Sequence, residues 1–173
     1  VEDPNEPNLL LQREISLKIE MLLESSGFTR APFESCDYLL FFDYGVDDAR
    51  RVVDMMPIRR PGATMAASSY TAGVPSSAVY DLPDSTTYVP YTRTVYGKYM
   101  ALTLVEGSHF RGTQEKRQVW VGEAVLTSSS SDFRDAVNFL LVGAFASFGE
   151  DTRRQLSVKI RTDDARIKTL RAR

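Results

Sequence analysis

Few residues in this chain are of the types that commonly carry out chemistry, and those few are scattered. His109 is the only histidine, and it lies in the sequence Gly-Ser-His-Phe-Arg-Gly, where no base or nucleophile stands at a useful spacing. Cys36 is the only cysteine and precedes an apolar stretch, so we predict a buried structural thiol rather than a nucleophile. One histidine and one cysteine also argue against a zinc site.

Sequence motifs for cofactors and metals are missing. The chain contains no GxGxxG, no GxxxxGK[ST] and no GxSxG. Asp43, Asp47 and Asp48 do not follow the Asp-x-Asp-x-Asp-Gly spacing of a calcium loop. We therefore predict no catalytic residue, no cofactor and no metal, and expect a protein that is not an enzyme. The alternative is a small enzyme whose site is assembled from the segment at about 59–93, with His109, Asp81 or Asp84 as acid or base.

Tyrosines are concentrated in one part of the chain. Residues 59–93 are rich in Pro, Gly, Ser, Thr and Tyr without a sustained period, which predicts a long loop. Tyrosine offers a large rigid contact area with a polar end, as binding surfaces require. The candidate partner-binding surface consists of Tyr80, Tyr88, Tyr91 and Arg93. The alternative is that these tyrosines pack the loop onto the rest of the protein.

The first half of the chain predicts one helix and two strands. Apolar residues recur at helical spacing from Asn8 to about Ser26. Residues 37–44 are almost continuously apolar and too few for a stable helix, which predicts a central strand buried on both faces. A second strand is expected at 51–58.

The second half predicts a hairpin, a helix and an edge strand. Strands are expected at 94–105 and 117–126, joined by a polar hairpin tip at 107–116, with Trp120 on the buried face. Asp132 is expected to cap a helix that ends at Gly149. Alternation at 156–160 predicts an edge strand, and one helical turn is expected after Asp163.

This order of elements predicts an α+β fold in a single domain spanning residues 1–173. It has an antiparallel or mixed β-sheet with two helices packed on one face, a long loop at about 59–93 and a basic C-terminal tail. The formal net charge of −2 argues against a nucleic-acid partner. Carboxylates dominate residues 1–48 and basic residues dominate 153–173, so we expect the two ends to lie near each other and neutralise. The alternative is a tail that docks on an acidic partner or on lipid headgroups.

Two stretches of sequence resemble a known family. The helix end Leu-Leu-Glu-Ser-Ser-Gly-Phe is followed by Asp37-Tyr-Leu-Leu-Phe-Phe-Asp-Tyr-Gly, which is similar to the "L-x-x-x-G-[FY] … A-D-[YL]-L-[VF]" pattern of DUF4136-type bacterial lipoproteins. Tyr99-Met-Ala-Leu-Thr-Leu-Val-Glu and Gln118-Val-Trp-Val-Gly-Glu-Ala resemble that family's "L-x-[IL]-x-[LI]-[VF]-D … x-[VL]-W-x-G-x-A". Glu106 stands where the family usually has Asp, and the Tyr/Ser-rich insert and the tail from Asp163 are longer than the pattern expects.

The resemblance implies a location and a kind of role. It implies a periplasmic or cell-surface protein of the bacterial envelope, made with a signal peptide and attached to a membrane only through a lipid anchor upstream of Val1. The chain begins with Val1 rather than methionine, so we expect either a processed product or a trimmed one, in which any targeting segment would have been lost upstream. The resemblance implies no enzymatic activity and no catalytic residues. The expected partner is another envelope protein.

Overall fold

The computed structural model describes residues 8–71 and 74–171, apart from the side chains of residues 67–71, 74–78 and 80. The chain forms four α-helices and six β-strands within these residues. In chain order they are α1 (Leu9–Ser25), β1 (Tyr38–Val46), β2 (Arg50–Arg60), β3 (Thr64–Thr71), β4 (Val74–Asp81), β5 (Ser85–Glu106), α2 (Gly107–Thr113), β6 (Gln118–Ser128), α3 (Arg134–Ala144) and α4 (Ala165–Arg171).

The predicted α+β class with an antiparallel sheet is confirmed. β5 pairs with β1, β2 and β6 in an open four-stranded sheet, and β3 pairs with β4 in a second sheet. β1 and β6 both run antiparallel to β5. The residues group into two compact units. We call residues 50–94 the strand-rich unit, and residues 1–49 with 95–173 the helix-containing unit.

The core of the helix-containing unit lies between the sheet and its helices. Alternate residues of β5, among them Met100 and Leu102, contribute to the same buried cluster as residues of α1, α3 and α4. Ile15 of α1 and Leu141 of α3 are fully enclosed in this cluster. Burying a side chain of this size contributes about 1.5–3 kcal/mol, so this layer supplies most of the stability of the unit.

The predicted first helix is confirmed together with its two ends. The Asn8 side chain accepts a hydrogen bond from the Leu11 amide at 3.1 Å, which satisfies one of the free donors in the first turn. At the other end Gly27 has a φ of 89°, and the Phe28 amide donates to the Leu23 carbonyl at 3.0 Å. A left-handed glycine followed by this hydrogen bond is the usual way for a helix to terminate.

The connection between β5 and β6 corrects one prediction. The expected hairpin tip at 107–116 contains the helix α2. It begins at Gly107, where the chain passes so close to the preceding loop that a Cβ would lie 2.5 Å from the Cys36 carbonyl oxygen. The sequence of α2 has only one large apolar residue, Phe110, so periodicity could not reveal a helix this short.

The predicted central position of the first strand was wrong. Within the described residues β1 pairs with β5 alone, and its burial is intermediate along most of its length. Its apolar residues serve two different layers. Leu40 and Phe42 pack against the main core, while Leu39 joins Cys36 and Val105 in a second cluster on the opposite face, with Phe41 and Phe110 packed against it. Packing on both faces produces a continuous apolar run even in a strand at the sheet edge.

The predicted loop at 59–93 was also wrong. This stretch holds the end of β2, both strands of the β3–β4 hairpin and the first part of β5. Periodicity did not reveal these strands because none of their described side chains is buried. A strand with both faces exposed needs no alternation of apolar and polar residues, and its backbone groups are satisfied by pairing instead.

The predicted edge strand at 156–160 was wrong as well. These residues are not part of a strand, and Leu156 and Val158 remain exposed. Ile160 alone reaches the main core. A cavity of about 690 Å³ lies between β6, α3 and this segment, with Trp120 and Phe139 among its lining residues. Only Ile160 of this segment packs inward, so the alternating sequence at 156–160 does not correspond to a hydrogen-bonded strand.

The remaining predictions for the second half are largely confirmed. β6 and the start of α3 lie where expected, and the Asp132 carboxylate accepts a hydrogen bond from the Arg134 amide at 2.9 Å, although Phe133 is the N-cap residue. The predicted helix end at Gly149 was wrong, because α3 ends at Ala144 and a 3₁₀ turn follows at Phe145–Ser147. Trp120 faces the helices and is partly buried against Phe145 and Phe148. None of the helices in the described residues is long and apolar enough to cross a bilayer.

The predicted basic tail forms a packed helix. α4 buries Ile167 and Leu170 in the main core. Three arginines of residues 153–173 pair with nearby aspartates: Arg153 with Asp151, Arg161 with Asp163 and Arg166 with Asp164. Of the acidic N-terminal residues that were expected to neutralise the tail, those in residues 1–7 lie outside the described part of the chain.

Candidate functional site

The most unusual surface of the protein is the strand-rich unit. Of its described side chains none is buried, and only Val52 and Asp54 are even half-buried. Large apolar side chains are therefore exposed along its strands and their connections. They are Val53, Met55, Met56, Ile58, Met65, Val79, Leu82, Tyr88, Val89 and Tyr91. Apolar exposure on this scale, in one continuous part of the chain, is typical of an interaction surface.

Polar contacts hold the base of the β3–β4 hairpin in place. The Asp84 carboxylate accepts a hydrogen bond from the Gly62 amide at 2.7 Å and lies 3.5 Å from the Arg59 guanidinium. The Asp81 carboxylate accepts a hydrogen bond from the Thr64 hydroxyl at 2.9 Å. Both carboxylates thus fix strand ends against each other.

The structure brings only part of the predicted tyrosine surface together. Tyr88 is 64% exposed and Tyr91 40% exposed. The two residues lie three positions apart on β5 and therefore project from opposite faces of the strand. Tyr91 shares a face with Arg93, whose Nε lies 3.2 Å from an Asp54 carboxylate oxygen. Tyr80 lies on β4 opposite Met65, and its side chain is outside those described.

His109 occupies a half-exposed position on α2. Its Nε2 lies 4.0 Å from a Glu115 carboxylate oxygen, with the glutamate side chain largely in solvent. Asp81 and Asp84, the other candidate acids or bases, make the contacts described above within the strand-rich unit. The contacts of His109 therefore provide no base–nucleophile arrangement within the described residues.

Cys36 and the three aspartates at positions 43, 47 and 48 were the remaining residues considered for chemistry. Cys36 is buried, as predicted, and its thiol lies 3.3 Å from the Phe33 carbonyl oxygen. Asp43 and Asp48 are exposed, and the Asp47 amide donates to the Gly97 carbonyl at 2.8 Å. Among the residues that the structure describes, no group of three or more His, Cys, Asp or Glu side chains is placed to hold a metal ion.

Comparisons with known proteins identify no relative. No protein-family model, no curated protein and no solved structure matches this chain. The resemblance to DUF4136-type lipoproteins therefore remains a prediction, and the argument for function depends on the surfaces of the molecule itself.

A second candidate site lies among three helices of the helix-containing unit. We call it the polar cavity; it has a volume of about 430 Å³ and is lined by Glu14, Lys18, Arg134, Asp135, Asn138 and Arg171. The Lys18 ammonium, on a side chain only 7% exposed, lies 2.6 Å from one Glu14 oxygen. Arg134 lies 3.6 Å from the other Glu14 oxygen. Charged groups from α1, α3 and α4 thus converge on one small space.

Asn138 is the unusual member of the polar cavity. The residue is 8% exposed, and its Oδ1 is buried without a hydrogen-bond partner among the described residues. An unsatisfied buried polar atom costs about 1–3 kcal/mol, so such atoms are rare in folded proteins. Sequence analysis missed this residue, although a polar residue within the apolar run Ala-Val-Asn-Phe-Leu-Leu was a visible signal.

Proposed function

We propose that this chain is a non-enzymatic binding protein of the bacterial cell envelope, and that its strand-rich unit holds another envelope protein. The observation that carries the proposal is the exposed apolar set on residues 50–94, in a unit without a buried described side chain. Such a unit gains little stability from its own packing. Burial of these apolar side chains by a partner would stabilise it further.

The composition of this surface favours a protein as the partner. Met55, Met56 and Met65 are unbranched and adapt their shape to an opposing surface. Tyr88 and Tyr91 add rigid area with a hydroxyl at the end, a combination enriched in protein interfaces. The charges in this unit are mixed in sign, and two of its arginines are already paired with aspartates. A single-sign field, which would favour nucleic acid or anionic lipid, is therefore not expected here.

Site-specific photo-crosslinking tests the partner. A benzoylphenylalanine placed at Tyr88 or Met56 in cells is expected to give one discrete crosslinked product with a second envelope protein, identified by mass spectrometry. The same probe at Leu17, an exposed apolar residue of α1, serves as the matched control. Equal crosslinking from Leu17 would contradict the proposal. Crosslinks to a second copy of this chain alone would make the surface a self-association interface instead.

Substitution of the same surface tests its importance. The double variant Met56→Ser and Tyr88→Ser is expected to abolish the crosslinked partner when the probe is placed at Thr92, which shares the face of Tyr88 on β5. Because both residues are largely exposed, the melting temperature should change by less than that of a core variant such as Leu102→Ala. An equal loss of stability would mean that these residues pack within the protein rather than bind.

The envelope location is tested separately. The resemblance to DUF4136-type lipoproteins predicts a signal peptide and a lipidated cysteine encoded upstream of Val1. The full gene product should then incorporate a radiolabelled fatty acid and sediment with the membrane fraction, and replacing that upstream cysteine should release it. A full-length product without lipid, found in the cytosolic fraction, would reject the location while leaving the binding surface to be judged by crosslinking.

A further inference from the structure

The outer edge of β6 is open along the cavity of about 690 Å³ between β6, α3 and residues 150–160, which we call the edge cleft. β6 pairs with β5 on one side and with no strand on the other among the described residues. Seven consecutive residues of β6, Trp120–Leu126, border the cleft. Successive residues of a strand point to opposite faces, so a cavity bordered by all seven runs along the edge of the strand. The unpaired amide and carbonyl groups of an open edge are a template for another strand.

The opposite wall of the edge cleft is a segment that is itself unpaired. Leu156, Val158 and Ile160 border the cleft, whereas Ser157 and Lys159 do not. This alternation is that of a strand, yet the backbone of residues 155–160 makes no hydrogen bond to any described residue. Leu156 and Val158 remain exposed although they border the cleft. Free backbone groups and uncovered apolar side chains therefore flank the same space from two sides.

The helix-facing side of the edge cleft is apolar. β6 contributes Trp120, Ala124 and Leu126 to it, and α3 contributes Phe139 and Leu140. The three β6 residues are only half-buried, so part of their apolar surface is still uncovered. A strand lying beside β6 would direct every second side chain onto this surface. The cleft therefore fits a strand whose alternate residues are apolar.

The other face of β6 adds a charge preference. Glu123 is exposed there, between the exposed Val121 and Val125. On that face, the nearest residue of an added strand lies within reach of the Glu123 carboxylate, and opposite charges on neighbouring strands stabilise their pairing. The strand that fits best has Lys or Arg at this position.

We propose that the edge cleft binds an extended segment of another protein by β-strand addition. The segment pairs with β6 through its backbone, packs alternate apolar side chains against Trp120 and Phe139, and places a basic side chain beside Glu123. A lipid or a small ligand would leave the row of backbone groups on β6 unpaired, which favours a peptide. The edge cleft belongs to the helix-containing unit, so this proposal does not depend on the binding surface of the strand-rich unit.

Peptide selection supplies the probe for the first test. A phage-displayed library of random twelve-residue peptides is selected against the 173-residue chain. Enriched sequences are expected to alternate apolar and polar residues, with Lys or Arg at one of the polar positions. Selection of sequences without this alternation, or of none at all, would overturn the proposal.

Two Gly143 variants then test where a synthetic copy of the selected peptide binds. A Cβ on Gly143 would lie 3.7 Å from the Ala124 Cβ and 3.8 Å from the Ile160 Cδ1, and both of these residues line the cleft. Gly143→Ala is therefore accommodated at an ordinary contact distance and should keep the affinity of the parent. Gly143→Leu extends into the cleft and should weaken binding at least about ten-fold. Equal affinity in the two variants would place the peptide elsewhere and overturn the proposal.

The charge preference has its own variant. Glu123→Gln should weaken binding of the basic peptide about two- to five-fold, as expected for loss of one cross-strand ion pair. Unchanged affinity would overturn the assignment of the basic residue to the position beside Glu123.

Amide hydrogen exchange shows whether the backbone takes part, and it uses the parent protein. In the free chain, the amides on the outer edge of β6 and those of residues 155–160 should exchange rapidly. Binding of the peptide should slow exchange in both segments. Slow exchange of residues 155–160 in the free chain would mean that this segment covers the edge itself. That result, or unchanged exchange of β6 on peptide binding, would overturn strand addition.

Discussion

The indole ring of Trp120 lies over Gly122 on the helix-facing side of β6. A Cβ placed on Gly122 would be 2.1 Å from the indole Cη2 atom, which is far inside van der Waals contact. Residues i and i+2 of a strand share one face, so a ring can lie along the strand only where the next inward position has no side chain. The ring then reaches Phe148, with the centroids 4.7 Å apart in an edge-to-face arrangement. Gly122 is thus a packing requirement of the core.

Gly122→Ala should therefore displace the indole ring. We expect a loss of about 1–3 kcal/mol in the free energy of unfolding, as for other overpacked cores. Urea denaturation followed by tryptophan fluorescence measures it directly, because Trp120 is the only tryptophan. Gly112→Ala in α2 is the control, since a Cβ there meets no atom within 4 Å and alanine favours helix. Equal losses in the two variants would show that the ring does not depend on Gly122.

Lys98 gives a second prediction about the core. Its side chain is completely buried on β5, and its ammonium donates to the backbone carbonyl of Asp132 just before α3. Lys98→Met keeps the apolar stem but leaves that carbonyl without its donor, for an expected loss of about 1–3 kcal/mol. Lys98→Ala also opens a cavity and should lose about 2–5 kcal/mol.

Chemical denaturation of the two Lys98 variants tests this order. The exposed Lys159→Met should stay within about 0.5 kcal/mol of the parent. A stability gain in Lys98→Met would mean that burial of the ammonium costs more than its hydrogen bond to Asp132 contributes.

The elements that could be predicted from the sequence are those that bury one face. α1 and α3 have apolar stripes at helical spacing because each lays one side on the sheet, and β6 alternates because Trp120 faces the helices while Val121 faces away. Where no burial contrast exists, the pattern disappears. β3 and β4 pair over residues such as Ser68 and Ser77, whose composition alone is typical of a loop.

The candidate sites differ in how far the sequence could reveal them. Composition predicted the tyrosine-rich segment as a candidate binding surface. The opposite orientations of Tyr88 and Tyr91 could be inferred only after the segment was known to be a strand. The polar cavity unites α1, α3 and α4, which are far apart in the chain. Only tertiary packing places Lys18 and Asn138 at one cavity, and no spacing rule within a single helix predicts it.

The start of α4 should make stability depend on pH. The Arg166 side chain and then the Arg166 amide hydrogen-bond the Asp164 carboxylate, and they hold the pKa of that carboxyl below its usual value of 3.8. A carboxyl whose pKa is lower in the folded state stabilises the fold above its unfolded pKa, and this contribution is lost as the pH falls through the folded pKa. Asp164→Asn retains a capping side chain but loses the charge. Its melting temperature should be lower than that of the parent at pH 7, and the difference should narrow below pH 3.8.

Asp164→Ala separates the cap from the charge. It removes both contacts, so its melting temperature should fall below that of Asp164→Asn at every pH at which both are folded. Melting curves from pH 2.5 to 7 measure the two effects. A constant difference between the parent and Asp164→Asn over this range would mean that the Arg166 contact does not depend on the charge of Asp164.

The last prediction concerns Arg111, which fastens α2 to the loop before β1. Its Nη1 lies 2.8 Å from the Cys36 carbonyl oxygen, 3.0 Å from the Phe33 carbonyl oxygen and 3.4 Å from the Cys36 sulfur. Arg111→Met leaves both carbonyls without this donor and uncovers the thiol. We expect a loss of about 1–3 kcal/mol and a faster reaction of Cys36 with a thiol reagent such as DTNB under native conditions.

Two companion variants make the Arg111 result specific. Cys36→Ser keeps a small hydrogen-bonding side chain beside the Phe33 carbonyl and should lose less than about 1.5 kcal/mol, because the thiol acts as a minor part of the second core cluster. Arg117→Met removes an exposed arginine near the end of the same β5–β6 connection and should leave the DTNB rate unchanged. If Arg111→Met does not accelerate thiol labelling beyond Arg117→Met, then Phe41 and Phe110 alone protect Cys36, and Arg111 acts only through the two carbonyls.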